Sequence, residues 1–417
     1  MAGWQQQLET LRARVAQVAA ECDRKYAAPS RARGSLEGAL SGEEVETAFG
    51  RHFEIEKLYA AHRRHGSADI GALSDLPADL LGTLSGGTIP AAGPEQWAFL
   101  DTETTGLAGG SGGSGSGSCA FLVGVGRITP DGFRVRQFFM RDHGEESSLL
   151  DALARHLETF RVMITYNGRA FDQPLLEARY RWNRAGPPFA RMQHLDLLYG
   201  ARRLWKLRFE SCRLVDLESQ VLGVEREGDI PGALIPYVYF EYLRTGLAQR
   251  LLPVFEHNAI DILTLACLTG IVPEAFHDPA RRELRHAGEM TGLAGWLRAA
   301  GDLEGARALL RGAIYTQGGA QLPEELLFRA MWDLGQLERK LGAREAALEI
   351  WEQLAAPSNP FRVRAIEELA KHYEHRAKDR QKALEWTLAA RALEDSADLA
   401  RRELRLSRRP QKKTGRR

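Results

Sequence analysis

Two acidic side chains stand two residues apart in Asp101-Thr-Glu-Thr-Thr-Gly106. On a strand, positions i and i+2 point to one side, so Asp101 and Glu103 would leave the end of that strand together. Carboxylates held close repel unless a proton or cation offsets their charge, and hard divalent cations prefer such oxygen ligands. A solvated pair capping a strand end gives the same local pattern; the Thr-Thr-Gly that follows narrows it. A second group lies in Tyr166-Asn-Gly-Arg-Ala-Phe-Asp172. There a strand runs into Asn-Gly and a helix starts near Asp172, where a carboxylate is also an ordinary dipole-favourable choice. The third is Glu256-His-Asn-Ala-Ile-Asp261. His257 and Asp261, four apart, share one helix face. They are either a surface pair or a general base beside a metal ligand.

The elements around these groups follow from periodicity. Trp97-Ala-Phe-Leu-Asp-Thr-Glu103 reads as a central strand, 121–128 and 133–139 as two more, with Asp131-Gly132 as a hairpin turn. Residues 145–160 read as a helix, 162–166 as a strand, and a helix begins at about Asp172. Three antiparallel strands followed by strand–helix alternation give a mixed sheet with helices packed on it.

In this order the three groups resemble the Exo I, Exo II and Exo III motifs of the DEDD (DnaQ-like) 3′–5′ exonuclease superfamily. Asp101 and Glu103 match the first, Asn167 and Phe171-Asp172 the second, His257 and Asp261 the third. With Phe121-Leu-Val-Gly124, His194-Leu-Asp-Leu-Leu198 and Asp229-Ile-Pro-Gly232, the chain looks like the YprB-like ribonuclease-H-like subfamily, which often joins its nuclease domain to tetratricopeptide-like repeats. The resemblance implies two Mg²⁺ or Mn²⁺ ions held by Asp101, Glu103, Asp172 and Asp261, and His257 as general base. It also implies single-stranded DNA or RNA as substrate, met by Thr104, Asn167 and Phe171. Asp196 becomes either a residue at the site's edge or a cap on a strand or helix end. The chain departs from the superfamily in two places. His257 stands four residues before Asp261, where the histidine branch places its base five before and the tyrosine branch a Tyr four before. A Gly/Ser run, 109–118, follows the first motif.

The expected organisation is a helical or irregular lead-in over 1–95, with an amphipathic helix at 4–26, and an α/β ribonuclease-H-like domain over 96–275. An all-α helical-repeat domain over 285–400 and a basic disordered tail over 401–417 follow. Turns near 299–306, 340–347 and 377–383 recur at about 40 residues, as helix–turn–helix repeats would. The tail carries nine Lys/Arg against one Glu, while the net charge of the 417 residues is only +1. Whole-chain charge therefore does not point to a nucleic-acid partner, and the tail is either a phosphate contact or a solubilising end. Arg202, Arg203, Trp205, Lys206 and Arg208 could bind phosphate and stack a base, or simply form a solvated helix face. The four cysteines form no CxxC pair, which argues against zinc and against a disulfide framework. No apolar stretch is expected to reach the roughly 18 residues of a membrane span, and the N-terminus lacks a signal-peptide pattern. No membrane partner and a cytoplasmic location are expected. Two other functions fit the same residues: a non-catalytic nucleic-acid-binding module of ribonuclease-H fold, or a scaffold whose repeats capture a protein partner.

Overall fold

The computed structural model describes residues 40–106, 118–277, 286–316 and 322–408, with Ala13, Ala16, Ala20 and Leu284. Apart from those three alanines, the amphipathic helix expected at 4–26 lies outside the described residues, as do the Gly/Ser run up to residue 117 and the tail beyond 408. The chain divides into two units: residues up to Arg202 with Ser211–Arg282, and Arg203–Glu210 with Glu283 onward.

The first unit is built on a seven-stranded mixed sheet in the order β1-β2-β7-β6-β5-β8-β9. Its strands are β1 (Gly42–Thr47), β2 (Gly50–Ala60), β5 (Trp97–Thr104), β6 (Ala120–Thr129), β7 (Gly132–Phe139), β8 (Val162–Thr165) and β9 (Gln193–Asp196). β3 (Arg64–His65) and β4 (Ala68–Asp69) form a separate small ribbon. β5, β6, β7, β2 and β1 pair antiparallel in turn, whereas β5, β8 and β9 run parallel. Trp97, Ala98, Phe99 and Leu100 of β5 are all buried. A strand covered on both faces needs such an unbroken apolar run. The β6–β7 hairpin turns at Gly132, whose φ of 138° and close approach to the Tyr59 carbonyl leave no room for a side chain.

Helix α1 (Glu146–Leu157) and α5 (Leu252–His277) cover opposite faces of the sheet. In β2, His52 meets Ser148 of α1 while Lys57, on the other parity, meets Glu256 of α5. Between them in sequence are α2 (Asp172–Trp182), α3 (Leu197–Trp205) and α4 (Ile235–Thr245).

The lead-in departs from the helical expectation. Residues 42–60 form a β-hairpin that extends the sheet at its β7 edge, with Phe53 opposite Phe139. Its many charged positions hide the alternation: on β2 the acids and bases find cross-strand partners, such as Glu54 with Arg136 and Glu56 with Arg134. The expectation about apolar length also fails. Ala248–His277 contains an 18-residue window of mean hydropathy 1.6, long and apolar enough to cross a membrane by composition alone. In this fold 72% of that window is buried, because α5 packs on β5, β6 and β7.

The second unit contains α6 (Ala287–Ala300), α7 (Leu303–Arg311), α8 (Glu324–Lys340), α9 (Arg344–Ala355), α10 (Arg362–His375), α11 (Arg380–Leu393) and α12 (Ala397–Ser407). The three turns singled out in the sequence join α6 to α7, α8 to α9 and α10 to α11. Gly301 and Gly342 end the first helices of two pairs at positive φ. Asp302 and Asp379 cap the helices that follow, accepting from Gly305 and Lys382 N–H. Leu310, Leu334, Trp351, Leu354 and Leu369 share one apolar core.

Candidate active site

Parallel pairing of β5 with β8 brings the carboxy ends of both strands to the same edge of the sheet. Ligands in such sheets bind beyond those ends. Asp101 and Glu103 sit on the last half of β5, and the chain leaving β8 runs through Asn167 to Asp172 at the start of α2. Thr102 Oγ1 donates to Asp172 Oδ1 at 2.5 Å and ties the second motif to the first.

Helix α5 delivers the third. Asn258, fully buried, donates from Nδ2 to Asp101 Oδ2 at 2.8 Å, and its Oδ1 accepts from Gln137 Nε2 of β7 at 2.9 Å. This approach requires Gly124 on β6: a Cβ there would lie 2.2 Å from Asn258 Oδ1 and 2.3 Å from Ile262 Cδ1. Overpacking of this kind costs about 1–3 kcal/mol. Gly124→Ala is therefore expected to lower the urea midpoint by an equivalent amount and to weaken activity by shifting α5 off Asp101. An unchanged midpoint would show that α5 can move without penalty.

The carboxylates act on one another. Burial pushes the Asp101 carboxyl well above the ordinary range, and the charges of Asp261 and Asp172 push it further. Glu103 is raised by burial and then by Asp101, Asp261 and Asp172. Asp172 is raised to about 6, mainly by burial, against the lowering effect of Thr102. The groups placed together from the sequence thus do share one electrostatic neighbourhood. Among the described residues no group of three or more His, Cys, Asp or Glu is placed to hold a metal ion. The donors themselves, four carboxylates with no thiolate among them, fit Mg²⁺ or Mn²⁺.

His257 and Asp261 lie on one face of α5, with Nε2 3.7 Å from Asp261 Oδ2. Nδ1 pairs with Asp229 Oδ1 at 2.8 Å. Burial pulls the imidazole pKa down, but the Asp229 hydrogen bond and the charges of Asp261 and Asp229 outweigh it, leaving it above its ordinary value. Asp229 is in turn held below the usual carboxylate range: burial would raise it, and His257 and Arg226 overcome that. Arg226 reaches Asp261 and Glu218 at 2.5 Å each. The periodicities do not reveal Asn258, Gln137, Arg226 or the Asp229–His257 pairing. Arg226 and Asp229 sit in a non-periodic loop, and the one signal for Asp229 is its place in a stretch that resembles the subfamily.

Asn167 turns the chain at φ 69°, a conformation Asn tolerates, and its N–H donates to Asp196 Oδ1 at 2.8 Å. Asp196 also accepts from Arg169 and Leu198 N–H, so it clamps the loop after β8. His194 bridges Thr165 and Gln173 at 2.7 and 2.6 Å. Phe171 is 54% exposed beside buried Asp172, and Thr104 ends β5 half-buried. Trp205 is 1% exposed and donates to Glu289, to which Arg208 also binds. Its ring is thus inaccessible for stacking.

A parallel–antiparallel sheet with carboxylates at the end of its central strand is a nuclease fold of the ribonuclease H kind. A family model described as the RNase_H superfamily matches residues 98–272. The uncharacterized protein YprB of Bacillus subtilis (strain 168) is 32% identical over 311 residues, which is 73% of this chain and 71% of that protein. The chain belongs to the family of that relative, and its residues 98–272 form a domain of the RNase_H superfamily.

Proposed function

We propose that this chain is a metal-dependent 3′–5′ exonuclease of the DEDD type acting on single-stranded nucleic acid. The observation that carries this reading is the convergence of Asp101, Glu103, Asp172 and Asp261 from three separate elements, with the shift in Asp101 traced partly to Asp261 and Asp172 and that in Glu103 partly to Asp101, Asp261 and Asp172. Carboxylates that burial and mutual repulsion disfavour need a counter-charge. Asp101, Glu103, Asp172 and Asp261 would hold two divalent ions, which when bound neutralise charge on the scissile phosphate and make an attacking water more acidic.

The chain's own groups supply the rest. His257 presents Nε2 toward Asp261 and accepts the proton of the attacking water. Asp229 holds Nδ1, which fixes ring orientation and tautomer. Arg226 keeps Asp261 in place. Phe171 stacks on the terminal base, and Thr104 and Asn167 line the strand's path. The helical unit is read as tetratricopeptide-like repeats.

The test is to incubate 3′- and 5′-labelled single-stranded DNA and RNA with Mg²⁺, Mn²⁺ or EDTA. A metal-dependent ladder shortening from the 3′ end is expected. A folded protein that cleaves none of these substrates would overturn the reading. Asp229→Asn preserves shape but presents the wrong partner to Nδ1. It is expected to lower kcat about 10²-fold while the thermal shift induced by Mn²⁺ stays at its wild-type value. A wild-type rate in this variant would remove His257 from the base role.

A further inference from the structure

The helical unit carries a groove of about 390 Å³ between α8, α9 and α10. Arg339, Arg344, Lys371 and Arg376 line it with His372 and His375, against the single acid Glu368. Glu368 is already engaged, accepting from Arg339 at 2.6 Å and Lys371 at 2.8 Å. Its one negative charge is thus shared by two cations.

Arg344 and Arg376 have no side-chain partner among the described residues. Many other arginines of this unit find acids: Arg298 with Asp333, Arg311 with Glu338, Arg391 with Glu403, Arg405 with Glu374. Arg344 also stands at the first position of α9, the electropositive end of a helix, where a cation is unfavourable. Sequence-local effects therefore do not account for it. The cations at the end of α10 would suit the helix dipole by themselves, but they converge on the same groove.

We propose that this groove binds the phosphodiester backbone of single-stranded nucleic acid. The floor favours this over an acidic peptide. Ala347 and Trp351 are 1% and 3% exposed, and Arg339 lies over the Trp351 ring, so the floor's own apolar side chains are covered and not free to anchor peptide side chains. What faces outward is a set of guanidinium forks, which match phosphate oxygens in bidentate pairs. The nature of the polymer rests on the nuclease reading; the existence of an anion site does not.

The experiment uses the full chain in EDTA, with binding of a fluorescein-labelled oligothymidylate followed by anisotropy across a KCl series. Both arginines are exposed and unpaired, so Arg344→Ala with Arg376→Ala should leave the thermal midpoint unchanged. Its expected effect is a Kd raised about tenfold and a log Kd–log[KCl] slope shallower by about 1.4, or about 0.7 for each phosphate that is no longer neutralised. Unchanged affinity and slope overturn the proposal. So does polyglutamate that displaces the oligonucleotide at equal charge concentration and itself depends on both arginines, which would make this a protein-binding groove. Parallel assays with Mn²⁺ separate the two readings. Arginine-dependent binding without hydrolysis keeps the groove and removes the nuclease. Hydrolysis with arginine-independent binding does the reverse.

Discussion

Asp101→Asn is expected to reduce hydrolysis by at least about 10³-fold, the scale of losing a group that positions charge at the reacting phosphate. The fold should not suffer. Asp101 is half-buried among like charges, its carboxyl raised by desolvation, Asp261 and Asp172, so the neutral amide removes repulsion rather than a favourable pair. Its amide can still meet Asn258, whose Nδ2 donates to Asp101 Oδ2 in the wild type. The metal-free thermal midpoint is therefore expected to stay level or rise, while stabilisation by added Mn²⁺ shrinks. The pH dependence in EDTA has a defined sign. Asp172 titrates at about 6 in the folded chain against 3.8 ordinarily. Below 3.8 both states hold the proton. Between 3.8 and about 6 the unfolded chain releases it first, so stability falls as pH rises, and above about 6 the loss is complete. That loss is on the order of 3 kcal/mol from this one group. Differential scanning fluorimetry across this window checks it. A metal-free midpoint that climbs steadily to about pH 7, or an Asp101→Asn protein that remains active, would remove the carboxylate cluster as the seat of function.

Arg226→Met is the second large effect, and here stability should collapse. The guanidinium is 5% exposed and pairs with Glu218 and Asp261 at 2.5 Å and with Asp229 at 3.3 Å. Burial pushes the Glu218 carboxyl up, but His65 and Arg226 outweigh it and keep it below its ordinary value. Without Arg226, Glu218 retains only His65, 3.3 Å away, in a position with almost no solvent. Breaking a buried pair by removing one partner costs about 3–5 kcal/mol. Guanidinium unfolding should show a loss of that size. The added change Glu218→Gln should recover part of it, since the stranded charge causes most of the penalty. A loss below about 1 kcal/mol would mean that water reaches Glu218 and that Arg226 is not the hub of this network.

The two effects separate what local pattern can show from what it cannot. The identity and order of the four carboxylates, the strands from Trp97 to Phe139, the Asp131-Gly132 turn and the three turns of the helical half are all legible locally. Each depends on neighbours within a few positions: strand parity, helix spacing, turn chemistry. The family model over residues 98–272 agrees with that reading of the fold. The hairpin of 42–60 is not legible, because its charged residues are balanced by a strand about 80 residues away, as Arg134 and Arg136 balance Glu56 and Glu54. The apolar run of α5 looks ordinary in sequence yet is long enough to be confused with a membrane span, and only its packing against three strands shows where that apolarity goes.

The partners that set the chemistry belong to the same class. Asp229 reaches His257 across 28 residues, Arg226 reaches Asp261 across 35, and Asn258 reaches Asp101 across 157. No periodicity links such positions, since closing loops of that length is decided by the whole core and not by any local preference. The sequence by itself determined which acids are present and on which elements they ride. Tertiary structure alone decided that Gly124 lets α5 approach, that Asn258 then holds Asp101, and that His257 and Asp261 meet their counter-charges from a loop without any pattern of its own.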